Sequence, residues 1–127
     1  MTTRMLVMAS AAIEAATGAA LIVVPELVAR VLLGAELSSA GAAVARVAGF
    51  GLLSLAIACW PDSDEAGQKA VRALFAYNLL AGVYLGYLRV SGGFVSYLLW
   101  PACVLHIVVG LLLVRAALGR TRPGEAG

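Results

Sequence analysis

Glu14, Arg46 and His106 are ionisable residues that lie inside otherwise apolar stretches of this sequence. Glu14 lies near the middle of residues 5–24, where every other side chain is apolar or small. A charged side chain at the centre of a bilayer costs on the order of 2.5–3.5 kcal/mol on insertion scales. It is tolerated where it faces protein, water or a partner charge. We therefore expect polar groups from the other helices to gather around Glu14.

Helical rise places further polar side chains at comparable depths. His106 lies roughly 18 Å from the outer start of its apolar stretch, and Glu14 lies roughly 15 Å from the outer end of its own. Arg46 and Trp100 lie at about 7–9 Å on the same side, and Asn78 enters from the opposite side to roughly 10 Å. We predict one intramembrane ligand-binding pocket formed by Glu14, Arg46, Tyr77, Asn78, Trp100 and His106.

The chemistry of this pocket depends on which groups meet. Arg46 is long enough to form a charge-assisted pair with Glu14. His106 could bond to Glu14 instead, or remain neutral against Asn78 or Tyr77. In an enzyme, Glu14 and His106 would be the catalytic acid and base candidates, and Arg46 would hold an anion or a carbonyl oxygen.

Three functions remain open for such a cluster. Polar groups inside a membrane bundle can be purely structural and determine which helices meet or how a complex assembles. They can also bind the polar end of a lipophilic molecule, such as a quinone, an isoprenoid or a lipid. Glu14 could instead exchange a proton for a cation in proton-coupled transport. We favour a protein that binds a lipophilic ligand, or an accessory subunit of a membrane enzyme, and keep transport and assembly as alternatives.

Metal and haem sites have little support in the sequence. The chain has one histidine, which supplies one axial haem ligand, and it has no HxxxH or CxxC motif. Its two cysteines, Cys59 and Cys103, lie inside apolar stretches, where a thiol behaves as a small apolar group. We predict no metal site and do not expect haem, whereas a quinone remains a candidate cofactor.

The composition and its pattern indicate a membrane protein. The chain is 62% hydrophobic and 13% charged, whereas soluble domains carry about 25% charged residues. Four apolar stretches are each about as long as a helix that crosses a bilayer: residues 5–24, 41–60, 71–88 and 94–114. The predicted fold is an all-α integral membrane four-helix up-down bundle. Its transmembrane domain covers residues 1–118, and residues 119–127 form a disordered cytoplasmic tail.

The segments between the spans suggest how the chain lies in its membrane. Residues 26–34 place apolar side chains on one helical face and Glu26 and Arg30 on another, which predicts a short amphipathic helix in the interface or an apolar lid over the bundle. Lys and Arg are more frequent on the side of both termini, so the positive-inside rule places both in the cytoplasm. The Ala- and Gly-rich composition fits a bacterial inner membrane, and a net charge of +2 gives no reason to expect nucleic acid as a partner.

Gly82 and Gly86 form a GxxxG motif in the third predicted span, within GVYLG. Small residues at this spacing let helix backbones approach closely. Besides the lipid bilayer, we therefore expect a partner to bind through these glycines, as a homo-oligomer or within a larger membrane complex.

The chain resembles the DoxX-like group of small bacterial four-span membrane proteins. The resemblance lies in Glu14-x-x-x-Gly18 with Pro25 after the first span, in Arg46-x-x-Gly49 in the second, and in the four-span layout. It implies a four-helix bundle. Some members of the group are linked to quinone-dependent oxidation and others to accessory roles in membrane complexes.

The chain is also similar to the small multidrug resistance transporters. They also have four spans and a glutamate midway along the first, as Glu14 is here. The amphipathic segment 26–34, Arg46 and His106 depart from their pattern, so this resemblance ranks second.

Overall fold

Five helices make up the computed structural model, which describes residues 2–62 and 67–120. They are α1 (Thr3–Val23), α2 (Pro25–Leu33), α3 (Ser39–Cys59), α4 (Gln68–Val90) and α5 (Leu99–Arg120). The described residues contain no strand, which confirms the all-helical prediction. All except α2 are long and apolar enough to cross a membrane.

Most of the apolar surface of the four long helices faces outwards. Between 17% and 33% of the residues in the most apolar part of each helix are buried inside the fold. Monomeric soluble proteins rarely expose continuous apolar surface on this scale. The chain is therefore built as a multi-pass membrane protein, whose outer surface suits lipid.

Local signals account for the ends of the first three helices. The Thr2 hydroxyl accepts a hydrogen bond from the Met5 amide at 3.3 Å and caps α1. Pro25 lacks an amide hydrogen and occupies the first position of α2, where none is needed. Gly34 ends α2 with a positive φ of 67°, and Ser38 caps α3 by accepting from the Gly41 amide at 3.0 Å.

The fourth span begins later than the sequence analysis predicts. Residues 94–98 are not helical, and α5 begins at Leu99, so Pro101 lies in its first turn, where proline is tolerated. The Ser96 hydroxyl donates to the Val31 carbonyl and ties this segment to the end of α2. The other predicted spans agree with the observed helices to within three residues at each end. Helix α5 includes residues 119 and 120 of the predicted tail, and residues 121–127 lie outside the described part of the chain.

Helices α1 and α3 approach closely where Gly18 meets Gly49. A Cβ added to Gly49 would lie 2.7 Å from the Gly18 carbonyl oxygen and 2.9 Å from Ile22 Cγ1. Further along the pair, the Arg46 side chain reaches the Ile22 carbonyl. Later residues of α1 therefore contact earlier residues of α3, so the two helices are antiparallel.

Helices α4 and α5 pair in the same way, and the GxxxG motif lies in their interface. A Cβ on Gly82 would lie 2.7 Å from Ile107 Cδ1, and one on Gly86 would lie 3.3 Å from the Cys103 sulfur. The predicted close helix contact is thus made within the chain. Whether a partner also binds through these glycines stays a prediction.

The interior has a densely packed apolar end. Its buried side chains come from the start of α1 and α4 and from the end of α3 and α5: Leu6, Val7, Cys59, Val71, Leu74, Val109 and Leu113. The opposite end, where α2 lies, carries no comparable cluster among the described residues.

The contact at Gly49 predicts that a single methyl group there is destabilising. Gly49→Ala should lower the free energy of unfolding by about 1–3 kcal/mol, because the new Cβ would overlap the α1 backbone. Unfolding in mixed detergent micelles by SDS titration measures the change.

Gly51→Ala is the matched control, because a Cβ at this position on the same helix has nothing within 4 Å. It should be neutral, or stabilising by up to about 1 kcal/mol through helix propensity. Equal stability of the two alanine variants would contradict the glycine-on-glycine contact.

Candidate functional site

Asn78 is the centre of a buried polar cluster that joins α1, α4 and α5. Its Nδ2 atom donates to the Ser10 hydroxyl at 3.1 Å and to the Leu74 carbonyl at 2.8 Å. Its Oδ1 atom lies 2.9 Å from Nδ1 of His106. Asn78 is 2% exposed and Ser10 is 1% exposed. Each polar group thus meets its partner inside the fold, which a membrane interior requires.

The cluster continues from His106 through Tyr77 to Glu14. The Tyr77 ring packs edge-on against the His106 ring, with centroids 5.8 Å apart and an interplanar angle of 81°. The Tyr77 phenol group faces the Glu14 carboxyl group. This contact does not have the geometry of a full hydrogen bond, and both Glu14 oxygens are buried without a hydrogen-bond partner among the described residues. Glu14 is 1% exposed, so it faces protein rather than lipid.

The structure therefore brings together four of the six predicted pocket residues: Glu14, Tyr77, Asn78 and His106. Ser10 is a fifth member that the sequence analysis missed. It lies one turn before Glu14 on the same face of α1, and that spacing was the available signal.

Arg46 lies apart from Glu14, so the pair considered in the sequence analysis does not form. Its Nε atom donates to the Ile22 carbonyl at 3.2 Å, and its guanidinium group lies 3.7 Å from the Glu26 carboxylate. The physical reason is the end of α1 at Val23, which leaves carbonyl groups without helical partners. A cation at a helix C-terminus is favourable, and at this end the charge remains half-exposed.

Trp100 is also outside the cluster. Because α5 begins at Leu99, Trp100 lies in the first turn of the helix, and its side chain is 50% exposed. Depth along the helix predicts Trp100 in the pocket, but depth does not indicate which face of the helix a residue occupies.

A groove of about 610 Å³ opens beside the cluster at the α2 end. This volume is within the range of about 300–1,000 Å³ that is usual for ligand pockets. Of the described residues that line the groove, only Thr17 and His106 have polar side chains. The lining residues, mainly from α1, α2 and α5, are Ile13, Ala16, Thr17, Ala20, Val24, Leu27, Val28, Val31, Leu32, Leu85, Leu98, Pro101, Ala102, Leu105 and His106.

His106 is the residue at which the groove and the polar cluster meet. The residue lines the groove, while its Nδ1 atom bonds to Asn78 in the interior. It lies seven residues into α5, which is about 10 Å from the start of that helix. The arrangement is an apolar surface with one buried polar contact point. Glu14 is not among the residues that line this groove.

The part of the chain that the structure describes has no cluster of metal-ligating side chains and no disulfide bond. No group of three or more His, Cys, Asp or Glu residues there is placed to hold a metal ion. Cys59 and Cys103 are both free and buried, and the Cys103 thiol donates to the Gly82 carbonyl at 3.3 Å.

Comparison with known proteins adds no assignment. No protein-family model matches the chain, and neither a curated protein nor a solved structure matches it.

The hydrogen bond between Asn78 and His106 predicts energetic coupling between the two residues. In a double-mutant cycle of Asn78→Ala and His106→Phe, the coupling energy should be about 0.6 kcal/mol and at most about 1.7 kcal/mol, the span found for hydrogen bonds between membrane helices. The free energies of unfolding of the four proteins in detergent supply the cycle.

The matched control is the cycle of Glu14→Gln and Arg46→Gln. These residues share no hydrogen-bond or ion-pair partner among the described residues, so their effects should add to within about 0.3–0.5 kcal/mol. A larger coupling in the control than in the Asn78 and His106 cycle would overturn the arrangement described.

Proposed function

We propose that this protein binds a lipophilic molecule that carries one small polar group. The apolar part of the molecule would lie in the groove between α1, α2 and α5, and its polar group would meet His106. The observation that carries the proposal is the position of His106, a lone ring with a buried hydrogen bond at the wall of a groove that is otherwise almost entirely apolar. Ligand sites commonly combine an apolar lining with a few convergent polar groups.

The open groove and the outer surface favour entry from the lipid phase. Helix α2 borders the groove with Leu27, Val28 and Val31, and two of these, Leu27 and Val31, are exposed. The charged side chains of α2 make exposed ion pairs, Arg30 with Glu36 and Glu26 with Arg46. We propose that α2 lies in the membrane interface as an amphipathic helix and flanks the opening.

The remaining topology is part of the same proposal. The antiparallel packing of α1 against α3, and of α4 against α5, supports an up-down order of the four spans. We place both termini in the cytoplasm and the protein in a bacterial inner membrane, in agreement with the distribution of Lys and Arg.

The resemblance to DoxX-like proteins suggests a quinone, or a membrane complex, as the setting of the bound molecule. An accessory subunit that holds a lipophilic substrate beside a membrane enzyme is compatible with the groove. If the chain itself catalyses a reaction, His106 is the acid or base with access to the groove, and Glu14 would act from behind it.

Filling the groove should expel the bound molecule. Ala16→Phe places an aromatic ring in the groove, so protein purified in mild detergent should lose a lipophilic adduct that native mass spectrometry detects on the original chain. We expect at least a tenfold fall in occupancy.

Ala48→Phe is the control, because Ala48 is an exposed residue of α3 and does not line the groove. This variant should retain the adduct. A chain that never carries an adduct, and that binds neither isoprenoids nor quinones added to nanodiscs, would leave a purely structural or assembly role as the better explanation.

Proton-coupled transport is the second candidate, and the burial of Glu14 is the observation that favours it. A carboxyl group without a hydrogen-bond partner in the middle of a span is a functional candidate by default. It ranks second because Glu14 has almost no exposed surface, so transport would require a second conformation.

Glu14→Gln separates the two candidates. If transport is the function, this variant should abolish proton-driven uptake of a lipophilic cation such as ethidium into proteoliposomes, because glutamine cannot release a proton. If ligand binding is the function, the original chain should show no uptake above that of protein-free vesicles, and Glu14→Gln should retain the adduct.

A further inference from the structure

The orientation of the Asn78 amide is fixed by its surroundings. One end of the amide lies 2.8 Å from the Leu74 carbonyl oxygen, which can only accept a hydrogen bond. That end must therefore be the NH₂ group, and its second hydrogen is donated to the Ser10 hydroxyl. The other end, Oδ1, can only accept, and it faces His106.

This orientation determines which ring nitrogen of His106 carries a proton. Nδ1 lies 2.9 Å from Oδ1 of Asn78, so it must be the donor in that bond. In a neutral imidazole, Nε2 is then left as an acceptor with a free lone pair. A second proton on the ring would place a positive charge deep in the bundle, and no carboxylate forms an ion pair with His106 among the described residues. The neutral ring is the less costly form.

The groove therefore presents a hydrogen-bond acceptor to whatever enters it. Nε2 has no hydrogen-bond partner in the described part of the chain, and it is not among the buried unpartnered atoms there. His106 itself lines the groove. The other polar side chain of the groove, Thr17, both donates and accepts through its hydroxyl group, so it does not discriminate between ligands. Discrimination falls to His106.

We infer that the groove selects lipophilic molecules that carry a hydroxyl group, which donates to Nε2 of His106, over molecules whose only polar group is a carbonyl or an ether. Among quinones this means the reduced, hydroxyl-bearing form, and among isoprenoids it means the alcohols. The inference rests on the proposed function, and it names the class of ligand. A carbonyl oxygen would leave two acceptors facing each other in an apolar groove, which is costly.

The tautomer can be measured without any ligand. The chain contains a single histidine, so labelling histidine with ¹⁵N in the full chain, purified with a tag that lacks histidine, gives the signals of His106 alone. We expect a protonated Nδ1 and an unprotonated Nε2 at neutral pH. A protonated Nε2, in either the other neutral tautomer or the imidazolium form, would overturn the inference.

Ligand selection is tested with a matched pair of probes in nanodiscs. Farnesylacetone and the secondary alcohol made by reducing its carbonyl group differ by two hydrogen atoms and have nearly the same shape. The alcohol should bind about fivefold more tightly, as expected for one net hydrogen bond of about 1 kcal/mol. In His106→Phe, which keeps an aromatic ring against Tyr77, the two probes should bind equally.

A second arm uses decylubiquinone and its reduced form under anaerobic conditions. A preference for the reduced form identifies an aromatic hydroxyl as the source of the donor, and a preference seen only with the farnesyl pair identifies an aliphatic one. Equal binding within both pairs would overturn the inference and leave the proposed function intact. Binding of none of the probes would overturn both.

Discussion

A single amide group connects three of the four long helices in the interior of this protein. Asn78 on α4 bonds to Ser10 on α1 and to His106 on α5, and it also uses the carbonyl of its own preceding turn. Inside a bilayer no water can replace these partners, so each polar group must find one within the protein. Such bonds add only modest free energy in membranes, but they restrict how α1, α4 and α5 can rotate against one another. The position of His106 at the groove depends on that restriction.

The charged groups of Arg46 and Glu26, by contrast, lie towards the end of the bundle. Arg46 and Glu26 meet at the junction of α1 and α2, where both remain partly exposed. A guanidinium group gains there from the free carbonyl groups at the end of α1 and avoids the cost of full desolvation. Glu14 is the exception among the described carboxylates, since it is buried with only the Tyr77 phenol group facing it.

The bundle is asymmetric along its length. At one end, apolar side chains from all four long helices pack into a dense cluster. At the other end, glycine contacts hold α1 to α3 and α4 to α5 in two tight pairs, and the groove lies where these pairs meet beside α2. The polar cluster lies between the two ends.

The sequence by itself determined the features that depend on local composition. The length and apolarity of four stretches define the long helices, and the cost of a carboxylate among apolar residues implied that Glu14 is sheltered by protein. Depth counted along the helices was enough to bring Tyr77, Asn78 and His106 to the level of Glu14. Depth along a helix does not indicate which face a side chain occupies, and the apolar pattern placed the start of α5 five residues too early.

Only the tertiary structure determined which side chains contact one another. Arg46 bonds to the end of α1 instead of Glu14, Trp100 turns outwards, and Ser10 joins the cluster. Gly82 and Gly86 both contact α5. The physical reason is that the rotation of each helix is determined by contacts between residues far apart in the chain, such as Gly18 on Gly49. Those contacts determine which side chains face one another, and a one-dimensional pattern does not contain them.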